Sequence, residues 1–155
     1  MPTRIIDVSK TDPFLYVSNG ETARYLCLSH CWGELPSHIR TERTTLMDHC
    51  GSIPSSHLSK TFRDAIDITR RLRLRYIWID ALCIVQDDKK DWEREAVRMG
   101  QYYSSAALVI AATSSRDGNG GCYSKPHDAH RGHRIPQHDL YVRQQSAHFF
   151  HGTDD

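Results

Sequence analysis

Three short apolar runs, at residues 25–29, 76–85 and 106–112, are separated by stretches of helical periodicity, and this alternation constrains the fold more than any other feature. A continuous run of four to ten apolar residues suits a strand covered on both faces. Between the first two runs, Ser59 is placed to cap a helix whose apolar positions Phe62, Ala65, Ile66, Thr69 and Leu72 recur at helical spacing. Arg63, Asp67, Arg70 and Arg71 take much of the opposite side, and the spacing predicts a helix over 60–73. After the second run, Asp87, Asp88 and Asp91 set carboxylates at the start of another helix, where they favour its free amides and dipole. Trp92, Ala96, Met99 and Tyr103 read as its buried stripe. The order strand, helix, strand, helix, strand predicts an α/β layer of mostly parallel strands joined by right-handed crossovers.

The remaining segments carry weaker signals. Residues 34–57 are polar and punctuated by Pro36, Gly51 and Pro54, which reads as a long surface connection with one helical turn near 44–49. Residues 113–121 are a loop on any reading. Beyond Gly121 the composition shifts: six of the ten histidines lie in the last 34 residues, and only Leu140, Tyr141 and Val142 look like a strand. The expected organisation is a domain over 1–125 and a variable, poorly packed, His-rich tail over 126–155.

Length and charge narrow the classes of function. A chain of 155 residues suits one domain, and 20 Lys+Arg against 19 Asp+Glu leave a formal net charge of +1, which argues against nucleic acid as a partner. No apolar stretch approaches the roughly 18 residues of a membrane span, and no secretory leader opens the chain, so a cytoplasmic protein with no membrane partner is expected. Cys27, Cys31, Cys50, Cys83 and Cys122 are odd in number and scattered, which suits reduced thiols better than a disulfide framework. His30 with Cys27 and Cys31 lacks the paired spacing of a closed zinc site, and no metal is expected. The phosphate cradles Gly-x-x-x-x-Gly-Lys and Gly-x-Gly-x-x-Gly after a strand are absent. The run from Lys60 to Arg75 carries six basic residues against Asp64 and Asp67 and reads as a solvated helix face.

In a parallel α/β sheet ligands sit beyond the carboxyl ends of the strands, here at Ser29, His30, Cys31, Trp32 and Gly33, at Asp80 through Cys83, and at Thr113 through Ser115. Asp80, inside an apolar run, is either a buried hydrogen-bond acceptor or a carboxylate opening into a site, and chemistry alone leaves both open. Glu95 either forms a structural ion pair, the reading preferred here, or faces a pocket.

Three blocks then resemble one family. Tyr25-Leu26-Cys27-Leu28-Ser29-His30-Cys31-Trp32-Gly33 is similar to the opening motif of the HET (heterokaryon incompatibility) domain of filamentous fungi. Leu58-Ser59-Lys60-Thr61-Phe62-Arg63-Asp64-Ala65-Ile66, with the stretch from Tyr76 to Asp88, resembles its second block, and Asp91-Trp92-Glu93-Arg94-Glu95-Ala96 through Ala112 its third. The resemblance implies a domain that triggers programmed cell death when genetically different hyphae fuse. It also implies a three-layer fold like that of TIR domains, or of flavodoxin, some TIR domains being enzymes that cleave nicotinamide from NAD. On that likeness NAD or a related nucleotide is the implied cofactor, held by Ser29, His30, Cys31, Trp32, Gly33, Asp80 and Cys83, with Asp80 and Glu95 as candidate catalytic acids. Implied partners are other HET-domain or incompatibility proteins and a second copy of the chain. The family's Arg-x-Trp-x-x-Gln-Glu block, the counterpart of the TIR helix bearing a catalytic glutamate, does not occur before Asp155, so the fold is expected to be incomplete at the C-terminus. Glu95 belongs to the third motif and does not replace that residue. The alternative expectation is an inactive module that associates with fuller HET proteins.

Overall fold

The computed structural model describes residues 1–32, 40–112 and 118–123, together with the backbone of His133–Arg134 and Tyr141–Val142. Its contacts divide the chain into two units, Met1–Tyr123 and Ser124–Asp155. In the second, strands β6 (His133–Arg134) and β7 (Tyr141–Val142) pair antiparallel.

The first unit is α/β and built on a five-stranded mixed sheet. Its strands are β1 (Arg4–Asp7), β2 (Phe14–Val17), β3 (Tyr25–Ser29), β4 (Tyr76–Trp78) and β5 (Leu108–Ala111), in the order β2-β1-β4-β3-β5. β3 runs parallel to both β4 and β5, as the alternation predicts. β1 is antiparallel to β2 and to β4, so the expectation of a mostly parallel sheet is corrected to a mixed one. The N-terminal pair escaped the sequence reading because each strand has four residues and β1 carries a charge at either end. Those charges find distant partners: Arg4 pairs with Asp91, and Asp7, fully buried, accepts from Arg75 Nε at 2.8 Å and from the Ser9 amide at 2.9 Å. Asn19 (φ 47°) and Gly20 (φ 82°) adopt the left-handed conformation that turns the chain after β2, where the Glu21 amide donates to the Ser18 carbonyl at 2.8 Å.

Helix α1 (Leu46–Gly51) lies in the stretch read as a surface connection, but Thr41, His49 and Ile53 there are buried, and Thr41 Oγ1 donates to the Leu82 carbonyl at 2.6 Å. Helix α2 (Lys60–Arg71) begins where the sequence places it. Ser59 Oγ accepts from the Phe62 amide at 3.2 Å, a cap whose loss costs about 1 kcal/mol. It buries Thr61, Phe62, Ala65, Ile66 and Thr69, and leaves Leu72 outside.

The long apolar run does not continue as a strand. β4 stops at Trp78, and α3 (Asp80–Cys83) is a single helical turn in which the Cys83 amide donates to the Ile79 carbonyl at 2.8 Å. An apolar run buried on all sides has no periodicity to tell strand from helix.

Helix α4 (Lys89–Ser105) is capped by Asp88, whose carboxylate accepts from the Lys90 and Asp91 amides. Its buried residues are Asp91, Glu95 and Tyr102, whereas Trp92 is 52% exposed, which corrects the expected stripe. The helix is turned so that Asp91 meets Arg4 of β1, while Tyr102 and Tyr103 pack on Trp78 of the central strand at ring separations of 5.5 and 5.6 Å. β5, read as a covered strand, has Leu108 at 51% and Val109 at 40% exposure. Its position at the sheet edge explains the difference.

Candidate functional site at the strand ends

The parallel register of β3, β4 and β5 brings their carboxyl ends side by side, and the Ala112 amide donates to the Ser29 carbonyl at 2.9 Å just beyond them. From β3 the chain passes through His30 and Cys31 to Trp32, whose indole Nε1 donates to Asp80 Oδ2 at 2.8 Å. Asp80 Oδ1 accepts from the Ala81 amide at 2.7 Å, so the carboxylate sits on the first turn of α3 with one oxygen on the backbone and one on the indole. Its side chain is 19% exposed, which places it between the two readings the sequence left open: hydrogen-bonded, yet reached by solvent. Gln86 Nε2 fastens the other side of the turn, donating to the carbonyls of Asp80 and Ile84 at 3.0 Å each.

His30 is the unusual member. Its side chain is 1% exposed, its Nδ1 lies 3.8 Å from Asp80 Oδ1, and neither ring nitrogen has a hydrogen-bond partner among the described residues. The ring meets Phe62 edge-on at 5.0 Å and lies parallel to Trp32 at 6.4 Å. Burial lowers the imidazole's pKa while the Asp80 carboxylate pulls the other way, and burial prevails. A buried, unpartnered imidazole is costly, because it has given up hydration with nothing in return.

The other expected site residues separate. Ser29 and Cys31 are exposed beside the cluster, and Gly33 and residues 113–115 lie outside the described residues. Cys83, the last residue of α3, is buried, its thiol pushed well up in pKa by burial, and its carbonyl accepts from Arg4 Nε at 2.8 Å. Glu95 is 1% exposed and shares no hydrogen bond or ion pair with His30, Trp32 or Asp80 among the described residues. Its Oε2 accepts from the Tyr102 hydroxyl at 2.8 Å and its Oε1 from Arg94 Nε at 3.3 Å, which ties α4 to itself. Phe62 and Gln86 complete the cluster without having been singled out. Phe62 heads the apolar stripe of α2, but only the tertiary fold sets it against His30.

Two cavities lie elsewhere. One of about 730 Å³ is bordered by Thr3, Tyr25, Arg98 and Tyr102, and one of about 560 Å³ by Lys10, Arg70, Arg73 and Arg75. The basic run is largely committed within the fold: Arg70 donates to the carbonyls of Val8 and Thr11 at 2.9 Å each, Arg75 holds Asp7, and Lys60 and Arg71 pair with Asp64 and Asp67.

No helix among the described residues is long and apolar enough to cross a membrane. Neither a curated protein nor a solved structure matches the chain. The family model described as heterokaryon incompatibility protein (HET) matches residues 25–150, a span that includes β3, the Trp32–Asp80 contact and both long helices. The chain belongs to the heterokaryon incompatibility (HET) family.

Proposed function

We propose that this HET domain serves non-self recognition and the programmed cell death that follows it, and that it works by associating with other incompatibility proteins rather than by cleaving a nucleotide. The observation that carries this reading is the commitment of both candidate acids. Cleavage of the nicotinamide–ribose bond builds positive charge at the ribose and needs a carboxylate facing the ligand. Asp80 is held by Trp32 and the Ala81 amide, and Glu95 is buried against Tyr102 and Arg94. The test is expression in a fungal host with viability and NAD followed together, beside incubation of purified protein with NAD. Loss of viability with NAD unchanged, and no nicotinamide released in vitro, is the expected result. Nicotinamide release that disappears in Glu95→Gln or Asp80→Asn overturns it.

A second reading rests on His30. Two unpartnered ring nitrogens beneath the strand ends, beside Asp80, suit a site in which a bound nucleotide supplies the missing hydrogen bond, as in a TIR-like pocket. Titration of the protein with NAD, followed through Trp32 fluorescence, tests it: saturable quenching lost in His30→Phe supports the pocket, and no response counts against it.

A further inference from the structure

β5 is the outermost strand of the sheet, and β3 is the only strand that pairs with it among the described residues. Among the described residues its other side has no strand partner, and it is flanked by the half-exposed side chains of Leu108 and Val109. Natural edge strands are usually guarded against pairing by charge, proline or a bulge. Here neither a charged residue nor a proline occurs from Ser104 to Ser115.

The sequence about this strand also has a two-fold symmetry. Reading outward from Val109, Leu108 is matched by Ile110, Ala107 by Ala111 and Ala106 by Ala112. This centre suits an antiparallel pair. Residues opposite one another in such a pair both turn their amides toward the partner or both turn them away. When a strand pairs with its own copy, the axis must then pass through a residue, never between two, and Val109 is such a residue. In that register Val109 faces Val109, Leu108 faces Ile110 and Ala107 faces Ala111, each an apolar pair of matching class. A two-fold interface of this kind is self-complementary and closed, so it ends at two copies. A formal charge of +1 per chain adds almost no repulsion.

We propose that a second copy of this chain pairs antiparallel along β5, about an axis through Val109, joining two five-stranded sheets into one. The inference stands on one strand alone and does not depend on the strand-end cluster or on any role in cell death.

Sedimentation of the full chain over a concentration series is the test. The expected result is a reversible shift toward twice the 17.8 kDa of one chain. Val109→Lys sets two ammonium groups face to face on the axis and should weaken the dimer at least about tenfold. Val109→Glu should do the same, and mixing the two variants should restore association, a rescue that general damage to the fold would not produce. Independently of any variant, hydrogen exchange at the Val109 and Ala111 amides, which alternate with the amides turned toward β3, should slow as concentration rises in the unsubstituted chain. A wild-type chain that stays monomeric into the hundred-micromolar range, a dimer indifferent to Val109→Lys, or concentration-independent exchange at these amides would overturn the proposal.

Discussion

At its β2 edge the sheet is closed off by the chain that follows. The Ile53 amide donates to the carbonyl of Pro13 at 2.7 Å just before the strand, Asp12 accepts from the Ser55 amide and hydroxyl at 3.1 Å each, α1 packs on β2, and the Lys10 ammonium lies 4.7 Å from the centre of the Phe14 ring. At the β5 edge none of these devices is present among the described residues: no proline precedes the strand, no charge flanks it, and two of its apolar side chains stand half in solvent. Both edges belong to one sheet with one core, so the difference does not arise from a need for burial. β5 keeps its place through its ladder to β3, which is buried along four of its five residues, while β2 reaches the centre only through β1. An edge anchored directly on the central strands can remain bare, whereas one anchored at second hand is fastened from outside.

The largest effect that would break this comparison is at β1. Ile6 is fully buried and pairs with Leu15 on one side and Ile77 on the other, so Ile6→Ala opens a cavity under the whole β2 edge. The expected loss is about 2–5 kcal/mol in urea denaturation. A loss below about 1 kcal/mol would mean that the N-terminal pair is an appendage and the guarded edge contributes little.

Asp80 lies near the boundary between the sheet's centre and its bare edge. Replacing it by Ala strips an acceptor from the Trp32 indole and the Ala81 amide, and should cost about 1–3 kcal/mol. The pH response sharpens the point. His30 is held below its ordinary pKa, so its contribution is complete at neutral pH, above the unfolded value, and is lost as acidification drives a proton onto the buried ring. His30→Phe should flatten the stability profile between about pH 6.5 and the lowered folded value, as read from urea midpoints across that range.

Asp7 gives the corresponding handle at the guarded edge. Burial raises its pKa, but the Arg75 guanidinium and the Ser9 amide outweigh burial and hold it below the usual carboxylate value. The stabilisation is therefore present above the ordinary pKa and is lost as the pH falls through the lowered one. Asp7→Asn should cost about 1–2 kcal/mol at pH 7, tempered by the half-exposed Arg75, and should remove this part of the acid sensitivity. An unchanged slope between pH 5 and about pH 2 would show that the pair is not formed in solution.

These particulars also mark what a reader of the sequence can find. Ser59 followed by an apolar stripe gave α2 to within two residues of its end, since cap and periodicity are local signals. That the chain leaving β3 and Asp80 come to the same edge was legible, because parallel strands align their carboxyl ends, but the Trp32–Asp80 hydrogen bond itself was not. β1 and β2 were not legible: each has only four residues, and the charged ends of β1 are satisfied by Asp91 and Arg75, whose distance along the chain hides the pairing. Glu95 is read as a structural ion pair, and it does pair with Arg94; its burial was not legible, because Tyr102, which covers it, stands two turns further along the helix.

The smallest expected effect is the most direct check on the bare edge. Leu108 is 51% exposed, and Thr in its place keeps a side chain suited to a strand while removing most of its apolar surface. If β5 is held by its ladder to β3 rather than by outward burial, Leu108→Thr in the monomer should move the urea midpoint by an amount equivalent to no more than about 0.5 kcal/mol. The measurement belongs at low concentration, where association through β5 does not contribute. A loss above about 1.5 kcal/mol there would mean that the outer face of β5 is covered within the chain itself, and the contrast between the two edges would fall with it.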